Sequence, residues 1–318
     1  MSMYVKKSDG TIVESQCETV KVTENTLKKY LDNVKTLQHF TVAGFNGLYS
    51  DLIKYEDTEN VISMEDAFAG ISSDSYYIRG IPLLNTSNVT NMRRMFGAAV
   101  MEASETIPLY DTSNVTNMSY MFSYFVVFKT NNIDSIRLPS FNTSKVTNME
   151  GIFASTAIGE NPSSNIRILF PEPFWDTSNV TNMRNMFSGS YKTGMSSYDS
   201  YLTRTIPLFN TAKVTNIGSM FYEAKGISII PAYDFSSVTY ASYMFYNCNT
   251  LEEIHFTGLK VSFDISASTK FTELALVEIL NNLGTPTSSQ TLTMGATNLA
   301  KLSDEEKAIA TDKGWTLK

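Results

Sequence analysis

Valine at the fifth position and phenylalanine at the twelfth recur through seven segments of this chain, with polar residues around them. The segments start at Asp57, Asn85, Asp111, Asn142, Asp176, Asn210 and Asp234, 24 to 34 residues apart, a period that marks stacked repeats. The valines are Val61, Val89, Val115, Val146, Val180, Val214 and Val238; the phenylalanines are Phe68, Phe96, Phe122, Phe153, Phe187, Phe221 and Phe245. The eighth and eleventh positions are mostly methionine, as in Met92 and Met95 or Met183 and Met186. Apolar residues thus fall at i, i+3, i+6 and i+7, which predicts one face of a short helix and does not fit strand alternation.

Each segment opens on Asp or Asn followed by Thr or Phe, mostly as D/N-T-S, and short oxygen side chains there predict a helix start. Asp and Asn alternate, so the shared requirement is hydrogen bonding, and three of the seven positions lack the carboxylate that a calcium ladder would need. Pro82, Pro108, Pro139, Pro173, Pro207 and Pro231 stand three residues before six of the segments, in runs such as "IPLY" that predict short strands with proline at their ends. Each unit is predicted as strand, capped turn, short helix and variable return. One unit cannot bury its Val/Met/Phe face, whereas stacked units share a continuous core. The methionines are read as core filling, and Asn91, Asn117, Asn148, Asn182 and Asn216 at the seventh position are predicted to bond to neighbouring coils.

The flanks differ in character. Residues 1–50 carry a hairpin signal at Asp9-Gly10 and a helix-like stretch from Thr23. Residues 257–318 predict a helix around "ELALVEILNNL" stopped by Gly284, then a strand in "QTLTM". A second helix is capped by Ser303 with Glu306 and ended by Gly314, after which Trp315 and Leu317 seal the last apolar face. The division is therefore 1–50 as an N-terminal cap or attachment region, 51–256 as the seven repeats, and 257–318 as a C-terminal α/β capping region.

Composition narrows the function. The net charge of −7 gives no basic footprint for nucleic acid. Cys17 and Cys248 lie far apart, which excludes a disulfide framework, and His39 and His255 are solitary. No catalytic residues, no metal ligands and no cofactor are assigned, because no Ser/His/Asp order, glycine-rich phosphate loop or multi-histidine set can be assembled; the chain is read as not an enzyme. No run of 18 apolar residues is present, so no membrane insertion is expected.

"DTSNVTNMSYMF" and its relatives resemble the BspA-type leucine-rich-repeat surface proteins of gut and oral bacteria, also found in mycoplasma lipoproteins and in phage or prophage genes. The likeness covers about residues 50–256. It implies an α/β repeat, a leucine-rich-repeat-like right-handed solenoid with short parallel strands and short helices, flanked by small α/β caps and used for adhesion and recognition. The chain departs from that pattern in showing no apolar leader, no lipobox cysteine and no wall-sorting tail. The expectation is accordingly a phage or prophage virion component of tail or fibre type, assembled in the bacterial cytoplasm. It would bind a polysaccharide or protein of the bacterial cell surface and join other virion proteins through a terminal region. A bacterial surface adhesin and a purely structural scaffold are the alternatives. Tyr191, Tyr198 and Tyr201 in the long return at 188–204, with Tyr76 and Tyr77 in a shorter one, have the composition of a binding surface and are the expected ligand-binding residues.

Overall fold

A computed structural model describes residues 3–6, 12–15, 58–70, 78, 80–102, 104–128, 135–156, 167–189, 206–224 and 227–318. Strands β1 (Met3–Lys6) and β2 (Ile12–Ser15) pair antiparallel, Lys6 opposite Ile12, around the Asp9-Gly10 turn signal. The helix expected from Thr23 lies outside the described residues.

From Thr58 onward each copy rests on the next. The seventh-position residues bridge in parallel from one copy to the following one: Ser63 to Asn91, then Asn117, Asn148, Asn182, Asn216 and Tyr240. Short strands add parallel pairs between the returns. β3 (Val100–Glu102) pairs with β4 (Val126–Phe128), β5 (Ser135–Arg137) with β6 (Arg167–Leu169), and β7 (Ile229–Ile230) with β8 (Glu253–Ile254). Between the returns and the bridges lies the core, in which all seven phenylalanines of the twelfth position are buried. Neighbouring rings stack at 5.3 to 6.1 Å, with interplanar angles of 1 to 15°.

Two local expectations are corrected. The Val/Met/Phe register does not lie on helices: among the described residues of the seven copies it lies on consecutive tight turns. In the second copy the N–H groups of Met95, Gly97 and Ala99 return to the carbonyls three residues back. Those of Met92, Arg94, Phe96 and Ala98 instead donate to the carbonyls of Asn117, Ser119, Met121 and Ser123 in the next copy. Alternate donors are thus committed to the neighbour, and the i to i−4 ladder of an α-helix has nothing left to close it. The turns are completed by a left-handed residue at the tenth and fourteenth positions of every copy, such as Arg94 (φ 53°) and Ala98 (φ 55°).

The second correction concerns the strands: β3, β5 and β6 end upstream of the proline runs, and of the described strands only β7 enters one, ending on Ile230 directly before Pro231. Proline has no N–H to offer a ladder. The N–H groups of Tyr110, Phe141 and Tyr233, two residues after Pro108, Pro139 and Pro231, turn back to those prolines' own carbonyls at 2.8 to 3.0 Å.

The D/N-T-S openings hold their geometry without a helix. The Asp and Asn side-chain oxygens accept from the N–H two residues on, at 2.9 Å for Asp111, Asp176 and Asp234 and 3.2 Å for Asn85, Asn142 and Asn210. The Ser113 and Ser178 N–H groups, with their hydroxyls, hold the Asp111 and Asp176 carboxyls below the usual carboxylate range. Asp57 lies outside the described residues.

After the seventh copy the chain takes the place of an eighth. The Phe235 N–H donates to the Thr257 carbonyl, and the Ser268 hydroxyl donates to the Cys248 carbonyl. Strand β9 (Phe263–Asp264), helix α1 (Glu273–Asn282), strand β10 (Gln290–Thr293), helices α2 (Ala296–Leu299) and α3 (Asp304–Thr311) and strand β11 (Trp315–Leu317) follow. The three strands form a parallel sheet in the order β11-β10-β9. Ser303 and Glu306 form a reciprocal capping box at the start of α3. Buried Trp315 donates its ring N–H to the Gly284 carbonyl at 2.9 Å.

Candidate recognition surface

The turns set one face of every copy toward solvent, and positions seven, nine, ten, thirteen and fourteen decide its chemistry. Position seven is structural. The Asn91, Asn117, Asn148, Asn182 and Asn216 amide oxygens accept from the N–H two residues on in their own chain, at 3.0 to 3.1 Å. Only their backbone bridges run in every case to the neighbouring copies, and the side chains of Asn91 and Asn182 also reach across, to Glu65 and Glu150.

In the first four copies this face pairs with itself. Arg93 meets Glu65, Arg94 meets Asp66, and the Arg93 guanidinium lies over the Tyr120 ring, 5.9 Å from its centroid. The Tyr120 hydroxyl donates to Glu150 Oε1 at 2.9 Å, and burial, with the carboxylate beside it, raises its pKa. The Tyr120 ring covers Gly151, where φ is 58° and an added Cβ would come within 2.3 Å of that ring. Charged groups here are already answered within the protein.

The last two copies are different. They present Tyr222, Tyr240, Tyr243 and Tyr246, of which Tyr240 is 47%, Tyr243 65% and Tyr246 45% exposed. Tyr222 and Tyr246, at the same position in successive copies, stack at 4.9 Å and 14°. Tyr243 stands edge-on to Tyr246 at 6.1 Å and 81°. Tyr240 replaces the seventh-position asparagine and lies across Gly218, where an added Cβ would come within 2.4 Å of its ring. Beside them the Asn247 amide donates to Glu223 Oε1 at 3.3 Å.

Other aromatic hydroxyls and ring N–H groups belong to the frame. Buried Tyr110 and Tyr233 donate to the carbonyls of Pro82 and Pro207 in the preceding copies, and Trp175 Nε1 donates to that of Pro139. Burial pushes both phenols well above their ordinary pKa. Cys248 is a buried thiol bonded to the Phe221 carbonyl, and burial pushes its pKa up to about 12. Among the described residues no three His, Cys, Asp or Glu side chains come together as a metal site, and no helix is long and apolar enough to cross a membrane.

The tyrosines expected from sequence to form the site, Tyr76, Tyr77, Tyr191, Tyr198 and Tyr201, lie outside the described residues, as do Cys17 and His39. The four-tyrosine patch escaped the sequence reading because its members sit inside the repeat cores, where the periodicity was assigned to packing. The signal was present: Tyr222 and Tyr246 stand at the thirteenth position and Tyr240 at the seventh, where earlier copies carry Gly, Ala, Ser or Asn.

No curated protein and no solved structure matches the chain. The family described as "Mycoplasma protein of unknown function, DUF285" matches residues 34–165, 98–199 and 136–257, overlapping stretches that follow the repeats. Together these matches cover more than half of the 318 residues, and the chain belongs to that family.

Proposed function

We propose that the protein is a non-enzymatic recognition and adhesion module, a leucine-rich-repeat-like right-handed solenoid that binds a polysaccharide or protein of a bacterial cell surface. The observation that carries the reading is the contrast along the turn face. Charged side chains pair with each other in the early copies, whereas the last two copies hold four tyrosines toward solvent on a hydrogen-bonded frame. A rigid platform of tyrosines offers contact area at small conformational cost. The resemblance to BspA-type repeats, which occur in bacterial surface proteins and in phage or prophage genes, supports the same reading. The test is binding of the full chain to a panel of bacterial cells, comparing the unaltered protein with Tyr243→Ser/Tyr246→Ser. Loss of cell binding by the folded double variant is the expected result. Undiminished binding moves the site elsewhere, first to the returns that carry Tyr191, Tyr198 and Tyr201.

A further inference from the structure

We infer that the patch formed by Tyr222, Tyr240, Tyr243 and Tyr246 is a subsite for a neutral glycan, with the Tyr222–Tyr246 stack and the edge-on Tyr243 as the platform for sugar rings. The inference rests on the recognition reading and names the ligand class of that site.

Three observations select this occupant. First, the hydroxyls of all four tyrosines make no hydrogen bond to any described residue, unlike those of Tyr110, Tyr120 and Tyr233. A phenol hydroxyl is both donor and acceptor, which is what a polyhydroxylated ligand requires. Second, the Glu223 carboxylate and the Asn247 amide lie side by side at 3.3 Å next to the stack, so an acceptor and a donor are presented together, as neighbouring sugar hydroxyls demand. Third, neither 216–224 nor 240–250 contains a lysine or arginine. A phosphorylated, sulfated or otherwise anionic polymer would meet the Glu223 carboxylate beside the stack, and Lys225, which follows the first of these stretches, lies outside the described residues.

Tyrosine is enriched at protein interfaces as well as at sugar sites, so the occupant is chosen by the polar groups beside the rings. Here every large exposed apolar side chain within 216–250 is a tyrosine. Ring faces suit the C–H faces of pyranoses, and free hydroxyls suit their rims.

The test uses the full chain and two readouts. In the first, cellohexaose, maltohexaose and chitohexaose are titrated while saturation transfer and chemical shifts are followed. At least one should bind, with its sugar C–H protons receiving magnetisation from the protein. Tyr246→Ala should weaken that binding about tenfold, the loss of about 1.4 kcal/mol. Because Tyr246 is exposed at the turn face, circular dichroism should show the variant folded. In the second readout, cells that bind the protein are treated with periodate, which cleaves carbon–carbon bonds between vicinal hydroxyls, or with protease. Loss of binding after periodate but not after protease supports the glycan. Loss after protease alone, with none of the three oligosaccharides bound, overturns the glycan and leaves recognition standing with a protein ligand. Failure to bind any cell or any oligosaccharide overturns both readings.

Discussion

The threonine hydroxyl at the second position of a copy is small, buried and fixed. Thr86, Thr112, Thr143, Thr177 and Thr211 each donate to the backbone carbonyl that opens the next copy, at 2.8 to 3.0 Å. Four residues on, the exposed sixth-position threonines make longer side-chain contacts to carbonyls that also receive a backbone N–H. The two columns look equivalent in sequence, but their energetics differ. Thr143→Val keeps the shape and removes the one donor to the Asp176 carbonyl among the described residues, so it should cost about 1–2 kcal/mol by chemical denaturation. Thr147→Val should stay within about 0.5 kcal/mol. Equal effects would show that the buried hydroxyls do not tie the copies together. Phe122 stands among Phe96, Phe125, Phe153 and Trp175, with ring centroids 5.6 to 6.4 Å away. Phe122→Ala should therefore cost about 3–5 kcal/mol, read from the same unfolding curves.

At the scale of the element, the apolar column was legible and the backbone that carries it was not. Val61 to Val238 and Phe68 to Phe245 identify the buried face from spacing alone, because side chains at these positions have one direction to point. Over only two turns, however, a period of 3.6 and a period of four place the same residues on the same face. Left-handed residues decide between them, and most are not glycine: Arg94, Tyr120, Ser219 and Tyr243 all have φ between 53 and 60°. No propensity rule marks such positions, since the hydrogen bonds from the neighbouring copy impose them. The tyrosines named from sequence as the site lie outside the described residues, and the patch proposed in the last two copies was not read from the chain. The patch itself depends on which copies stand adjacent. Ala98, half-buried at φ 55°, is a clean test of the imposed strain. Ala98→Gly should raise stability by about 0.5–1 kcal/mol because glycine accepts this conformation without a Cβ clash, and Ala98→Val should lower it.

The junction after the seventh copy titrates. His255 Nδ1 contacts Glu278 on α1 at 2.7 Å and Nε2 contacts Glu253 on β8 at 3.0 Å. The bond to Glu278, reinforced by its charge and by Glu253, raises the His255 pKa above its ordinary value despite partial burial. A raised folded pKa makes the contribution full below the unfolded value of about 6.5, and the contribution is lost as pH rises through the folded value. The thermal midpoint of the unaltered protein, relative to His255→Gln, should therefore fall as pH rises from about 6 toward 8.5. A difference that is flat across this range would mean that the pair of contacts adds nothing to folding.

For the whole molecule, the consequence of identical copy-to-copy contacts is that a copy can be removed without stranding its neighbours. Deleting Asn85–Tyr110 joins Leu84 to Asp111 and brings the first copy against the third. The backbone partners of the first copy's turns then have replacements in the same register, whereas the Tyr110 hydroxyl on the Pro82 carbonyl and Glu105 on the Gly80 N–H do not. The Met64, Asp66 and Phe68 N–H groups, which donate to the Asn91, Arg93 and Met95 carbonyls, would find those of Asn117, Ser119 and Met121. Ile78, bridged to Met101, would meet Val127, which Met101 itself pairs with in the intact chain. Phe68 would stack on Phe122 instead of Phe96. The pairs Glu65–Arg93 and Asp66–Arg94 are lost, but they are partly exposed and contribute little, about 0–1 kcal/mol each. In a stack of near-equivalent units, stability is close to a sum of unit and interface contributions, so removal of one unit lowers the total without changing its kind. The shortened chain should stay folded, keep the circular dichroism shape of the parent and unfold in one cooperative transition at lower denaturant concentration. A non-cooperative or aggregated product would show that the copies are not interchangeable, and that unlike contacts, not the shared ones, hold the stack together.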